Sequence, residues 1–115
     1  FDAAEAFSYI QTPVCFFGHT HFPFVYTEKD GNVEGTFLEG NTNEVKLEKG
    51  TRYLINPGSV GQPRDRNPRA AFAVYDSEAR TIKFSRVDYD VEEAKRRIID
   101  EKLPPALAER LSLGI

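Results

Sequence analysis

Phe16-Phe17-Gly18-His19-Thr20-His21 follows the apolar run Pro13-Val14-Cys15 and holds both histidines of the chain, two residues apart. The run reads as a buried strand, and the pair as what comes at its end. On extended backbone, residues i and i+2 project to the same side with Cα atoms about 6–7 Å apart. Two imidazoles so placed can share one metal ion or serve two neighbouring ions, since paired catalytic metals lie about 3.5–4 Å apart. Gly18 is expected to let the backbone turn sharply ahead of the first ring. Taken alone, the pair fits equally well two histidines that share a polar loop.

A second stretch, Tyr53-Leu54-Ile55-Asn56-Pro57-Gly58-Ser59-Val60-Gly61-Gln62-Pro63-Arg64, changes the weighing. Together with Gly18-His19-Thr20-His21, and in that order, it resembles the closing half of the calcineurin-like metallophosphoesterases, hydrolases with a dinuclear metal site. The resemblance runs over nearly the whole chain. It implies an α+β fold, the C-terminal half of a four-layer α/β/β/α sandwich built mostly of antiparallel hairpins with a C-terminal helical segment. Family members carry, earlier in the chain, an Asp-x-His, a Gly-Asp, a Gly-Asn-His and a lone His that complete the metal cage; these are not in this sequence. Residues 1–115 are therefore expected to be the C-terminal part of a single domain. The lack of methionine and the opening Phe1-Asp2-Ala3 fit the same expectation.

Composition is that of an ordinary globular chain: 40% hydrophobic, 29% charged, net charge −3. The mild acidity speaks against nucleic-acid backbones as partner, since domains that bind them show a basic excess. No apolar run approaches the roughly 20 residues needed to cross a bilayer, and no signal peptide is visible. The single Cys15 has no internal partner and reads as a buried small hydrophobe. A cytoplasmic setting is expected.

Along the chain, Phe1, Ala4, Phe7 and Ile10 share helical spacing, as the last turns of a helix that starts upstream and is stopped by Pro13. Val14 to Phe17 is a strand apolar on both faces, so another segment or a second copy is expected to cover residues 13–17. Phe24 to Thr27 and Val33 to Phe37 flank Asp30-Gly31, a strong hairpin signal. Val45-Lys46-Leu47 is expected to turn near Lys49-Gly50 and return as Arg52 to Asn56. Ala71 to Tyr75 pairs with Thr81 to Val87, whose period-2 alternation leaves one face wet. Asp90 and Glu93 fit a capping box for a helix on which Glu92 pairs with Arg96 and Glu93 with Arg97. Pro104-Pro105 breaks it, and a shorter helix over Ala106 to Leu111 ends at Gly114.

The resemblance implies that His19 and His21 are metal ligands on different ions. Borderline divalent metals suit imidazole mixed with carboxylate: Mn²⁺ first, with Fe, Zn²⁺ or Ni²⁺ as alternatives. Imidazole binds metal in its neutral form, so affinity is expected to fall in acid. Thr20 should point away and bond within the loop. The Asn56-Pro57-Gly58-Ser59 turn reads as a plain Pro-Gly turn or as the rim that buttresses the histidine loop and orients the ligands' other ring nitrogens. Arg64 is a candidate for substrate phosphate, because a guanidinium fork matches that anion; Arg66 and Arg69 read as part of a solvated loop with Asp65. The expected function is metal-dependent hydrolysis of a phosphomonoester, phosphodiester or phosphoprotein, with little activity from these residues alone. A catalytically silent scaffold or interaction module of the same fold is the other reading, and a homo-oligomer is compatible with either.

Overall fold

The computed structural model describes residues 2–115; the expectation placed on Phe1 lies outside them. The chain opens with α1 (Ala3–Tyr9), continues through β1 (Val14–Phe16), β2 (Pro23–Lys29), β3 (Asn32–Phe37), β4 (Thr42–Lys46), β5 (Arg52–Pro57), β6 (Ala70–Asp76) and β7 (Thr81–Val87), and closes with α2 (Val91–Asp100) and α3 (Pro105–Leu113). The strands form two sheets, β1-β5-β2-β3 and β4-β7-β6. Every pairing is antiparallel except β1 with β5, which run parallel with Val14 opposite Tyr53 and Phe16 opposite Ile55.

The two sheets face each other across a core of Val25, Tyr53 and Ile55 from the first, Ile82 and Phe84 from the second, and Leu38 just after β3. Removing each such side chain from water is worth about 1.5–3 kcal/mol, which is what holds the layers together. β5 is the central strand: Tyr53, Leu54, Ile55 and Asn56 are all buried. Alternation sends Tyr53 and Ile55 into the core and Arg52, Leu54 and Asn56 to the opposite face. α1 lies on that outer face. Arg52 fastens it there, donating to the carbonyls of Phe7 (2.9 Å) and Ile10 (2.7 Å), gripping Glu28 with its remaining N–H groups, and resting over the Phe7 ring. A cation at a helix C-terminus is favourable in its own right.

Several expectations hold. The hairpin of β2 and β3 turns through Asp30 and Gly31, both at positive φ (52° and 78°), the geometry of the turn that best matches strand twist. β6 and β7 pair as expected, and Lys83 is exposed between buried Ile82 and Phe84. α2 is capped by Asp90, whose carboxylate accepts from the Glu93 N–H at 3.0 Å, and α3 ends at a left-handed Gly114.

Others need correction. Within the described residues α1 begins at Ala3, where Asp2 caps it by accepting from the Glu5 N–H at 3.0 Å. β4 and β5 are not a hairpin. β4 pairs with β7, and the Lys49-Gly50 turn carries the chain from one sheet to the other. Tyr53 braces this crossing, its hydroxyl accepting from the Glu48 N–H at 2.9 Å. Cys15 is half-buried and Phe16 is 45% exposed, because β1 is an edge strand paired, among the described residues, with β5 alone. On α2, Glu92 pairs with Lys95 instead of Arg96, while Glu93 takes both Arg96 and Arg97. Asp65 is not part of a solvated loop: it forms an ion pair with Arg86 in which both side chains are about nineteen-twentieths buried (5% and 4% exposed). Arg86 also donates to the carbonyls of Asn67 and Arg69, so the pair is fully dressed with hydrogen bonds and fixes the segment that follows Gln62.

Candidate metal centre

β1 and β5 end side by side, and each releases a loop at its C-terminal end. From β1 comes Phe17 to Phe22, with the ladder extended one step by the Phe17 N–H donating to the Ile55 carbonyl at 2.8 Å. From β5 comes Pro57 to Asn67. The histidines and the turn singled out from sequence are thus neighbours because two strands far apart in the chain are parallel partners.

Asn56 ties the loops together. Fully buried at the end of β5, its amide nitrogen donates to Thr20 Oγ1 (2.8 Å) and the Gly18 carbonyl (3.3 Å), while its amide oxygen accepts from the Gly58 N–H (2.9 Å). The Thr20 hydroxyl therefore bonds across to β5 and not, as expected, within its own loop. Gly58 is required at its place: its φ is +91°, and a Cβ there would meet the Ala71 Cβ at 2.7 Å. Ser59 Oγ accepts from the Gln62 N–H at 2.9 Å, and its carbonyl from the Ala71 N–H at 2.9 Å.

The sharp turning of the histidine loop is not made by Gly18, which has an ordinary φ and open space around it. His19 and His21 themselves adopt the left-handed conformation, with φ of 79° and 64°. That region costs an L-residue about 1–2 kcal/mol, and strain of this kind persists where the surroundings impose it. The Asn56 bonds to either side of His19 are that imposition.

His21 is half-buried, and its Nδ1 lies 2.7 Å from the Gln62 carbonyl oxygen. A carbonyl can only accept, so Nδ1 donates, and in the neutral ring the lone pair is left on Nε2. This is the arrangement of a metal-ligating imidazole, whose second nitrogen donates to a fixed oxygen. His19 is exposed. The donor chemistry of both rings suits a borderline divalent ion. Among the described residues no group of three or more His, Cys, Asp or Glu is assembled, so this pair would contribute ligands to a centre and not build one.

Gln62, quoted from the sequence but not singled out there, emerges as the residue that holds His21. Its side chain lies between two guanidinium groups. Turned so that its oxygen faces α3, the amide accepts from Arg110 Nε and Nη1 at 2.8 and 2.9 Å. The opposite orientation offers one contact of 3.4 Å, from Arg64 Nη2. The first uses more donors at better distance and is the one that satisfies the network. Arg64 is half-buried and, with Gln62 so turned, gives up its contact with that amide; its buried Nε has no hydrogen-bond partner among the described residues. Arg66 is exposed, and Arg69 pairs with Asp88 at 3.0 Å. Beside the loop, Phe17, Thr20, Phe22, Phe24, Tyr26 and Phe37 line an open apolar concavity of about 280 Å³.

No family model matches the sequence. The structure superposes with a TM-score of 0.90 on the crystal structure of a metallophosphoesterase from Sphaerobacter thermophilus, at 37% identity over 98% of this chain and 46% of that one. An uncharacterized protein of Methanocaldococcus jannaschii is 42% identical over 99 residues, 86% of this chain and 38% of its own length. A hypothetical protein of Pyrococcus horikoshii OT3 matches 56% of this chain and 25% of its own, at 38% identity and a TM-score of 0.50. The chain spans less than half the length of each of these three proteins.

Proposed function

We propose that this chain, whose fold is that of the metallophosphoesterases over the part it spans, supplies two histidine ligands, His19 and His21, to a divalent-metal centre that hydrolyses phosphate esters. The observation that carries the reading is the 2.7 Å bond from His21 Nδ1–H to the Gln62 carbonyl, which leaves Nε2 free and aimed by a fixed partner. Two bound divalent ions, Mn²⁺ being the first candidate, would polarise the phosphoryl oxygens and provide a hydroxide at neutral pH. The chain's own residues do the rest of what can be assigned. His21 is held in one tautomer, Asn56 keeps the loop in its strained form, and the Arg64 guanidinium, close to the histidine loop in the turn that follows Gln62, would contact an anionic oxygen of the substrate. The remaining ligands come from polypeptide beyond these 115 residues, which accounts for the low activity expected of them alone. A cytoplasmic setting belongs to the same reading, with Cys15 a free thiol.

The test is metal analysis of the full-length protein together with hydrolysis of bis-p-nitrophenyl phosphate in added Mn²⁺. Bound metal, and turnover abolished by His21→Ala, is the expected result. A metal-free, inert protein would overturn it in favour of a scaffold that has kept the fold without the chemistry.

A further inference from the structure

Gln62 is pinned at three points. Its N–H donates to Ser59 Oγ at 2.9 Å, its side-chain oxygen takes two N–H groups of Arg110, and its carbonyl receives the His21 Nδ1–H. Pro63, next in the chain, is among the fully buried side chains, so the peptide that carries this carbonyl has little room to rotate. Arg110 lies on α3, which is itself locked to the same loop: the Arg66 N–H donates to the Gly114 carbonyl at 2.8 Å, and the Gly114 Cα packs against the Asn67 backbone. The single Nε–H of Arg110 is shared between the Gln62 oxygen and the Ile115 carbonyl, also at 2.8 Å, while Nη1 donates to Gln62 alone of the two.

We infer that Arg110 is a positioning residue for the metal centre: through Gln62 it fixes the carbonyl that sets the tautomer and direction of the His21 ring, so that the last helix of the chain governs a ligand more than eighty residues earlier. The inference rests on the metal-centre reading for its purpose, but its geometry does not. A planar guanidinium fork suits this task because it holds an amide oxygen in one plane, which a single ammonium cannot do.

The test reads the His21 ring directly, in metal-free protein, by long-range ¹H–¹⁵N correlation, which distinguishes Nδ1–H from Nε2–H imidazole. Wild type should show the Nδ1–H form. Arg110→Met and Gln62→Met should each lower its population, with Arg110→Lys recovering less than half of the loss. Gln62→Glu should preserve it, since a carboxylate accepts the same fork. The apparent affinity of the full-length protein for Mn²⁺ should fall about tenfold in the two Met variants, the low end of what losing an outer partner of a metal ligand costs. The double variant should be no worse than either single one, because both break one link. Gln62→Met leaves α3 untouched, so it decides the matter even where Arg110→Met unfolds. A folded Gln62→Met protein with an unchanged tautomer would overturn the inference. A tautomer that shifts in a wild-type background that binds no Mn²⁺ would sink the metal reading and leave this one standing.

Discussion

Among the turns that place non-glycine residues at positive φ, two do so by opposite means. At the tip of β2 and β3, Asp30 and Gly31 take left-handed angles that their own chemistry favours, and the strands on either side supply the register. Between β1 and β2, His19 and His21 take the same angles with no local reason to. Their conformation is imposed by Asn56 and Gln62, roughly forty residues away in sequence, on β5 and on the loop that leaves it beside β1. The first turn is a solution to chain reversal. The second holds two imidazoles where relaxed backbone would not put them, which is what the proposed metal centre requires.

The contrast breaks most severely at Gly58, the hinge of the distant support. Gly58→Ala forces a methyl to within 2.7 Å of the Ala71 Cβ in a left-handed conformation, so it should destabilise the protein by about 2–4 kcal/mol in urea unfolding and loosen the histidine loop with it. Asn56→Ala removes three hydrogen bonds from a buried position and should cost about 2–3 kcal/mol. A cost below about 0.5 kcal/mol would mean the loop holds itself. His19→Gly relieves the left-handed strain and should raise stability by up to about 1 kcal/mol while weakening metal binding by the full-length protein. Asp30→Gly should gain less, because aspartate already tolerates that region; equal gains would erase the distinction between the two turns.

The smallest effect tests local support elsewhere. Hydrogen bonds from Arg96 and then Arg97 hold the Glu93 carboxyl at about 2 instead of its ordinary 4.5. A carboxyl pKa lowered by folding contributes stability that is present above 4.5 and lost as pH falls from there toward 2. The pair is solvent-exposed and screened, so α2 should lose a modest part of its helical circular dichroism over that window, more at low salt than at high.

What could be read from the sequence follows the same division between local and distant. The Asp30-Gly31 hairpin, the β6–β7 pair and both helix caps of the C-terminal segment are written in adjacent residues, and they appear where expected. The Lys49-Gly50 turn misled because a turn that reverses the chain within a sheet and one that carries it across to the facing sheet use the same residues. His19 and His21 stood out through motif and resemblance, and Asn56 through the turn it begins. The Gln62 carbonyl could not, since a backbone oxygen has no signature in the sequence. Arg86 did leave a signal: it shares the parity of Ile82 and Phe84 on β7, so the alternation that marked those as core marked it as buried too, in need of an acid such as Asp65.

The parallel pairing of β1 with β5 also sets an order of events. Val14 must wait for Tyr53, 39 residues downstream, whereas the hairpin between them can close on its own residues. Contacts across long stretches of chain form late, because the entropy of closing the intervening loop has to be met first. During refolding the histidine turn is consequently among the last pieces to acquire its shape, and cation-binding competence should lag behind the growth of β-sheet signal.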